Sequence, residues 1–196
     1  MARMRSLASA LLLSLAPVPC VSFAQNHPKL DAREQAFVAQ ATSDDALQIA
    51  LAQLAMSRSS NPKLRALASK IVSDHSALNL QFAQLAASTG SKGRAHGVPA
   101  GNVAAMKAHL QSLQGAAFDR AFAGMMVKEH RKIIAAYEVA AKTSHDGRLR
   151  TIAARGLPVL QGHLDEARAL MKDTPPKRGG LISIDAQIAR SALSPT

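Results

Sequence analysis

The chain has few of the residues that supply covalent cross-links or aromatic contacts. Among its 196 residues there are no tryptophans, one tyrosine (Tyr137), five phenylalanines and one cysteine (Cys20). A lone cysteine cannot form an intrachain disulfide, and so few aromatics argue against a base-stacking surface for single-stranded nucleic acid. The sequence also lacks a phosphate-binding glycine loop and a Ser-His-Asp order, so it does not indicate a hydrolase or a transferase.

The first 24 residues have the pattern of a secretory signal. Arg3 and Arg5 precede an apolar run that is too short to span a membrane, and residues 22–24 (Ser-Phe-Ala) form a small-x-small cleavage site. We expect cleavage after residue 24, which removes Cys20 and leaves a mature protein without thiol chemistry. The predicted location is therefore the periplasm or the cell envelope.

The chain is basic, with a formal net charge of +11. Removing the two arginines of the leader, which contains no acidic residue, lowers this charge to +9. Because the lysines and arginines are scattered, we expect weak association with anionic envelope polymers and no nucleic-acid partner. No second apolar run follows the leader, so we also expect no transmembrane span.

The remaining sequence is rich in alanine, leucine and glutamine and has the three-and-four apolar spacing of amphipathic helices. The predicted helices cover residues 31–58, 61–90, 102–113, 116–144 and 147–172, with Asn61 and Asn102 as caps. Two tight hairpins joined by a longer crossover predict an all-α, ferritin-like four-helix bundle over residues 25–174. Residues 175–196 have a loop-like composition and are predicted to form a flexible tail.

Three histidines fall on or beside the apolar stripes of three long helices. His75 and His163 continue the core spacing of their helices, and His130 follows Glu129 at the same position of a third. Counting from the two tight turns places His130 level with His163, and His75 level with Gln48. Gln48 is in register with Phe37, Ala41, Asp44, Leu51 and Ala55. We therefore predict one buried polar layer to which four helices contribute.

Several segments together resemble an exported bacterial ferritin-like family, domain of unknown function 4142, whose members are often labelled "predicted outer membrane protein". The segments are Ala36-Phe37, residues 71–75, Phe118-Asp119, Glu129-His130 and residues 157–164. The resemblance covers residues 31–172 and implies an envelope helical bundle without an established reaction. The family pattern has a glutamate where this chain has Gln48, and often an aspartate where it has Glu129. The missing carboxylate, together with the lack of any Glu-x-x-His motif, argues against a di-iron site.

Two interpretations of the polar layer remain open. In the first, it is a mononuclear site for a divalent transition metal such as Zn, Cu or Fe, which imidazole suits. Its candidate ligands are His75, His130, His163 and Glu129, with Asp74 and Gln48 as hydrogen-bonding partners behind them. In the second, it is a buried His-Gln-Glu hydrogen-bond network that fixes helix register.

The function that these observations favour is a non-enzymatic envelope protein with a role in metal handling or stress tolerance. The alternative is a metal-dependent enzyme that uses the same histidine layer. The two differ at the ion, because a structural site is closed by protein ligands and a catalytic site keeps a position open.

Overall fold

The computed structural model describes residues 29–90 and 100–174, with only the backbone of residues 100 and 101. The predicted leader (1–24) and tail (175–196) lie outside the described residues. The described chain forms five helices and no strand: α1 (Ala32–Arg58), α2 (Pro62–Thr89), α3 (Ala100–Gln111), α4 (Gly115–Thr143) and α5 (Gly147–Asp173). The predicted all-α fold is confirmed, with each boundary within two residues. None of these helices is both long enough and apolar enough to cross a membrane.

Three of the four long helices begin at a residue whose side chain caps the first turn. Asp31 and Glu34 form a reciprocal capping box at the start of α1. Asn61 accepts hydrogen bonds from the first turn of α2, in which Pro62 occupies the first position, and Asp146 caps α5 in the same way. These caps place the two tight turns.

The short helix α3 begins earlier than predicted. Asn102 lies inside this helix rather than at its cap, so the prediction that Asn102 starts the helix is wrong. The physical reason is that Ala100 has the highest helix propensity of any residue type, and the single Gly101 that follows costs only about 1 kcal/mol in a helix.

Polar contacts at both ends hold α1 against α4. At one end the carboxylate of Glu34 accepts the backbone N–H groups of His145 and Asp146, at 2.7 and 2.9 Å. At the other end the hydroxyl of Ser59 donates to the carboxylate of Asp119 at 2.7 Å. Because the start of α1 meets the end of α4 and the end of α1 meets the start of α4, these two helices are antiparallel with a fixed register.

The apolar core is divided in two. One cluster includes Leu51, Ile71, Phe122, Met126 and Leu170. The other includes Val38, Leu78, Phe82, Ile133, Tyr137 and Leu160. On the four long helices the boundary between the clusters falls at buried polar residues, namely Asp45, His75, His130 and His163. A buried polar layer with the three predicted histidines therefore lies between two apolar halves, with Asp45 rather than Gln48 from α1.

The second half of the core depends on a glycine. A Cβ atom at Gly156 would lie 2.8 Å from Cε1 of Tyr137 and 3.4 Å from Cδ2 of Leu78. We predict that Gly156→Ala lowers the free energy of unfolding by about 1–3 kcal/mol, as overpacking does, measured by urea denaturation.

Gly162→Ala in the same helix is the control, because nothing lies within 4 Å of its added Cβ. That variant is expected to gain about 0.5–1 kcal/mol from helix propensity. Equal effects of the two substitutions would contradict the packing argument.

Candidate metal centre

His75, His130 and His163 meet at the centre of the bundle. All three side chains are fully buried, at 0% exposure, and their ring centroids lie 5.3 to 5.6 Å apart. One ring nitrogen of each lies within 4.8 Å of a ring nitrogen of the other two. The prediction that these histidines converge at one level is confirmed.

Each imidazole has one ring nitrogen bonded to an oxygen outside the trio. The bonds are His75 Nδ1 to Asp45 Oδ1 at 2.8 Å, His130 Nδ1 to the Met126 carbonyl at 3.0 Å, and His163 Nε2 to Asp74 Oδ2 at 3.0 Å. A carbonyl or carboxylate oxygen only accepts, so the ring nitrogen is the donor in each bond. The other nitrogen of a neutral ring then carries a lone pair. Metal-binding histidines are oriented in this way by carboxylates and carbonyls behind them.

Two of these lone pairs face each other. Nε2 of His130 lies 3.3 Å from Nδ1 of His163. With both rings neutral and both outer nitrogens donating, neither nitrogen has a hydrogen to share, so this contact is repulsive unless a proton or a cation lies between them. Two nitrogens on a tetrahedral ion with bonds of 2.0–2.1 Å are about 3.3 Å apart, so the spacing suits such an ion.

The surroundings of His130 and His163 disfavour protonation of either ring. Burial, followed by the neighbouring imidazoles of His75 and His163, lowers the pKa of His130 from 6.5 to about 3. Burial also lowers the pKa of His163, against the raising effect of its bond to Asp74. Near neutral pH the rings of His130 and His163 are therefore both neutral, and neutral imidazole is the form that binds metal ions.

Sequence reasoning missed Asp45, which is only 1% exposed and bonds His75. Burial raises the pKa of its carboxyl, against the bond from His75. The register used for the prediction placed Asp44 in the core, but Asp44 is half-buried and bonds Gln40. The buried residues of α1 follow a second three-and-four spacing, which also fits the sequence and places Asp45 in the core: Val38, Ala41, Asp45, Gln48, Ala52 and Ala55.

The predicted pairing of Gln48 with His75 is wrong for a related reason. Counting residues from Asn61 makes Gln48 level with His75, but the turn between α1 and α2 is centred on Ser60. Ser60 is equally far along the chain from Asp45 and His75, so Asp45 is the residue level with His75.

The other candidate residues occupy different places. Asp74, predicted as a partner behind a ligand, bonds His163. Glu129 lies outside the trio: its carboxylate is bonded by Lys132, and it lines a groove of about 790 Å³ between α1, α3 and α4. Gln48 is fully buried, and neither atom of its amide has a hydrogen-bond partner. The described residues therefore do not form the predicted His-Gln-Glu network.

An antiparallel bundle of four long helices with a crossover and a buried histidine trio defines a ferritin-like helical protein. The chain belongs to the family described as "Domain of unknown function (DUF4142)", whose model matches residues 21–170. It is similar in structure to a crystal structure of a DUF305 fragment from Deinococcus radiodurans, with a TM-score of 0.67 at 17% identity, covering 74% of this chain and 99% of that one. This likeness shows the fold alone. No curated protein matches the chain significantly.

The lowered histidine pKa values make the stability of the metal-free protein sensitive to acid. The unfolded chain binds a proton at each histidine near pH 6.5, but folded His130 does so only near pH 3. Protons therefore bind the unfolded chain preferentially below pH 6.5. The free energy of unfolding has its full value above pH 6.5 and decreases as the pH falls below it. We predict a loss of about 1.4 kcal/mol per pH unit from His130, with a contribution of the same sign from His163.

Urea denaturation of chelator-treated protein between pH 7.5 and 5 measures this loss. His130→Gln should have a shallower pH dependence than the wild type, and the exposed-site variant His145→Ala should match the wild type. An unchanged slope in His130→Gln would contradict the prediction.

Proposed function

We propose that this protein is an exported, non-enzymatic envelope protein that binds one divalent transition-metal ion through His75, His130 and His163, with a role in metal handling or stress tolerance. The observation that carries the proposal is the 3.3 Å contact between two ring nitrogens that both carry lone pairs. A cation removes the repulsion, and a proton is disfavoured by burial.

The chemistry of the donors supports a particular group of ions. Imidazole nitrogens, which are ligands of borderline softness, suit Zn, Cu and Fe better than Mg or Ca, which prefer oxygen. Asp45 and Asp74 hydrogen bond two of the imidazoles from behind, so their negative charges offset the charge of a divalent ion. The third imidazole is oriented by the carbonyl of Met126.

Export is supported by the leader pattern of residues 1–24. Weak association with anionic envelope polymers is supported by the charge of the chain, and changes of binding with ionic strength test it.

A metal-dependent enzyme is the second candidate. One observation favours it, since the described residues bring together three potential protein ligands rather than four. Closed structural zinc sites use four protein ligands, whereas catalytic sites use three and leave one position to water or substrate. Turnover by the metal-loaded protein that is lost in His163→Ala would favour this candidate over the non-enzymatic one.

We predict that Zn²⁺, Cu²⁺ or Fe²⁺ raises the stability of the chelator-treated protein. At a hundredfold excess over Kd the gain is about 2.7 kcal/mol, or about 5–10 °C in Tm for a domain of this size. His163→Ala should remove the shift, and the exposed-site variant His145→Ala should retain it. Protein isolated from the periplasm is used, and its intact mass is expected to be that of a chain beginning at Gln25; a mass that includes Met1 would contradict cleavage of the leader.

A Tm that none of these ions shifts near neutral pH would contradict the proposed metal site. The layer is then a structural feature that specifies helix register. Elemental analysis of the protein as isolated gives an independent answer, with an expected content of one ion per chain.

The carboxylate behind His75 gives a sharper test. We predict that Asp45→Asn weakens metal affinity about 10- to 100-fold, because the imidazole loses its charged acceptor while the shape of the side chain is kept. Competition with a chromogenic chelator measures the affinity. Asp44→Asn is the matched control, since Asp44 bonds Gln40 rather than a histidine. Equal losses in both variants would mean that general negative charge, rather than the bond to His75, is responsible.

A further inference from the structure

Gln48 is a polar side chain buried without a partner. It is 0% exposed, and both Oε1 and Nε2 of its amide lack hydrogen bonds. An unpaired buried donor or acceptor costs about 1–3 kcal/mol of stability. A glutamine amide with both atoms unpaired therefore destabilises the fold relative to a leucine at the same position. The amide therefore points to a ligand that hydrogen bonds to it.

The register of the bundle places this amide beside the histidine layer. The contacts of Glu34 with His145 and of Ser59 with Asp119 fix α1 against α4. Counting from those anchors sets Gln48 opposite His130 on α4, although on α2 it is Asp45 that is level with His75. Gln48 also follows Asp45, the partner of His75, by one helical turn on the same buried face of α1.

Another polar atom of the histidine layer also lacks a partner. Nε2 of His75 is buried and has no hydrogen-bond partner. A metal ion bound by the trio would use that nitrogen. Even if Oε1 of Gln48 contacted the ion directly, the N–H groups of the amide would still need an acceptor. A fourth ligand on the ion that can both accept and donate hydrogen bonds satisfies the amide.

We propose that the ion's fourth ligand is one exchangeable small molecule, a water at rest, held against the amide of Gln48 and replaceable by small anions. This inference rests on the proposed metal site and extends it to a ligand class. Water donates to Oε1 of Gln48 through a hydrogen and accepts from Nε2 through a lone pair.

The surroundings favour a small ligand. Buried apolar residues of α2 and α4 flank the histidines by one helical turn, with Ile71 and Met126 on one side and Leu78 and Ile133 on the other. The carboxylates of Asp45 and Asp74 offset the charge of a divalent ion, so a neutral resident such as water adds no charge to the layer. Both features disfavour large or multiply charged ligands.

Azide binding to the Co²⁺-loaded protein tests the inference, with the full chain as purified. Bound Co²⁺ is quantified first by elemental analysis, and the visible spectrum of the ion is then followed during titration with sodium azide. The wild type is expected to bind one Co²⁺ and to change its spectrum saturably with azide. Gln48→Leu should still bind Co²⁺ but bind azide about tenfold more weakly, as expected for one lost hydrogen bond.

Two further variants make the result specific. Gln53→Leu alters an exposed glutamine of the same helix and should match the wild type. Gln48→Glu supplies a carboxylate that coordinates the ion itself, so its Co²⁺ spectrum should differ at rest and be insensitive to azide. This variant also tests the inference if Gln48→Leu fails to fold.

The outcomes separate the two proposals. A wild type that binds no Co²⁺ overturns the proposed function and this inference with it. A wild type that binds Co²⁺ but shows no azide-dependent change, or a Gln48→Leu variant with unchanged azide affinity, overturns the inference alone.

Discussion

The contact between two buried imidazole nitrogens that both carry lone pairs is the constraint on which the centre of this molecule depends. Each ring donates outward to an oxygen, so each lone pair is directed inward, where two of them meet at 3.3 Å. Burial lowers the pKa of His130 and of His163, so a proton between these two rings is disfavoured. The same outward bonds that hold the rings in place thus create a demand for positive charge at the point where they meet.

The rest of the fold is arranged to hold this layer. Capped turns fix where α2 and α5 begin, and the contacts of Glu34 and Ser59 fix how far α1 is shifted along α4. Apolar clusters above and below exclude solvent from the layer. These features act at a distance from the histidines, yet a shift of one residue in any of them would remove a partner from an imidazole, because neighbouring positions on a helix point about 100° apart.

The sequence was sufficient for the parts of the site that depend on residue type and helical period. A histidine on an apolar stripe is conspicuous, so His75, His130 and His163 could be predicted together with their common level. Asp45 could not be separated from Asp44, since adjacent carboxylates both fit the buried face and the choice depends on which residue centres the turn. The carbonyl of Met126 is a backbone atom, which no side-chain pattern reveals. Glu129 carries the right chemistry, but the rotation of α4 places it beside Lys132.

The division of the core into two apolar halves has a consequence for how the protein unfolds. Each half has its own hydrophobic contacts, and the two meet across a layer in which several polar atoms lack partners. Cooperative unfolding of the two halves depends on contacts across that layer. An ion at the proposed site would join three helices between the halves, so its occupancy would influence whether the bundle unfolds as one unit or in stages.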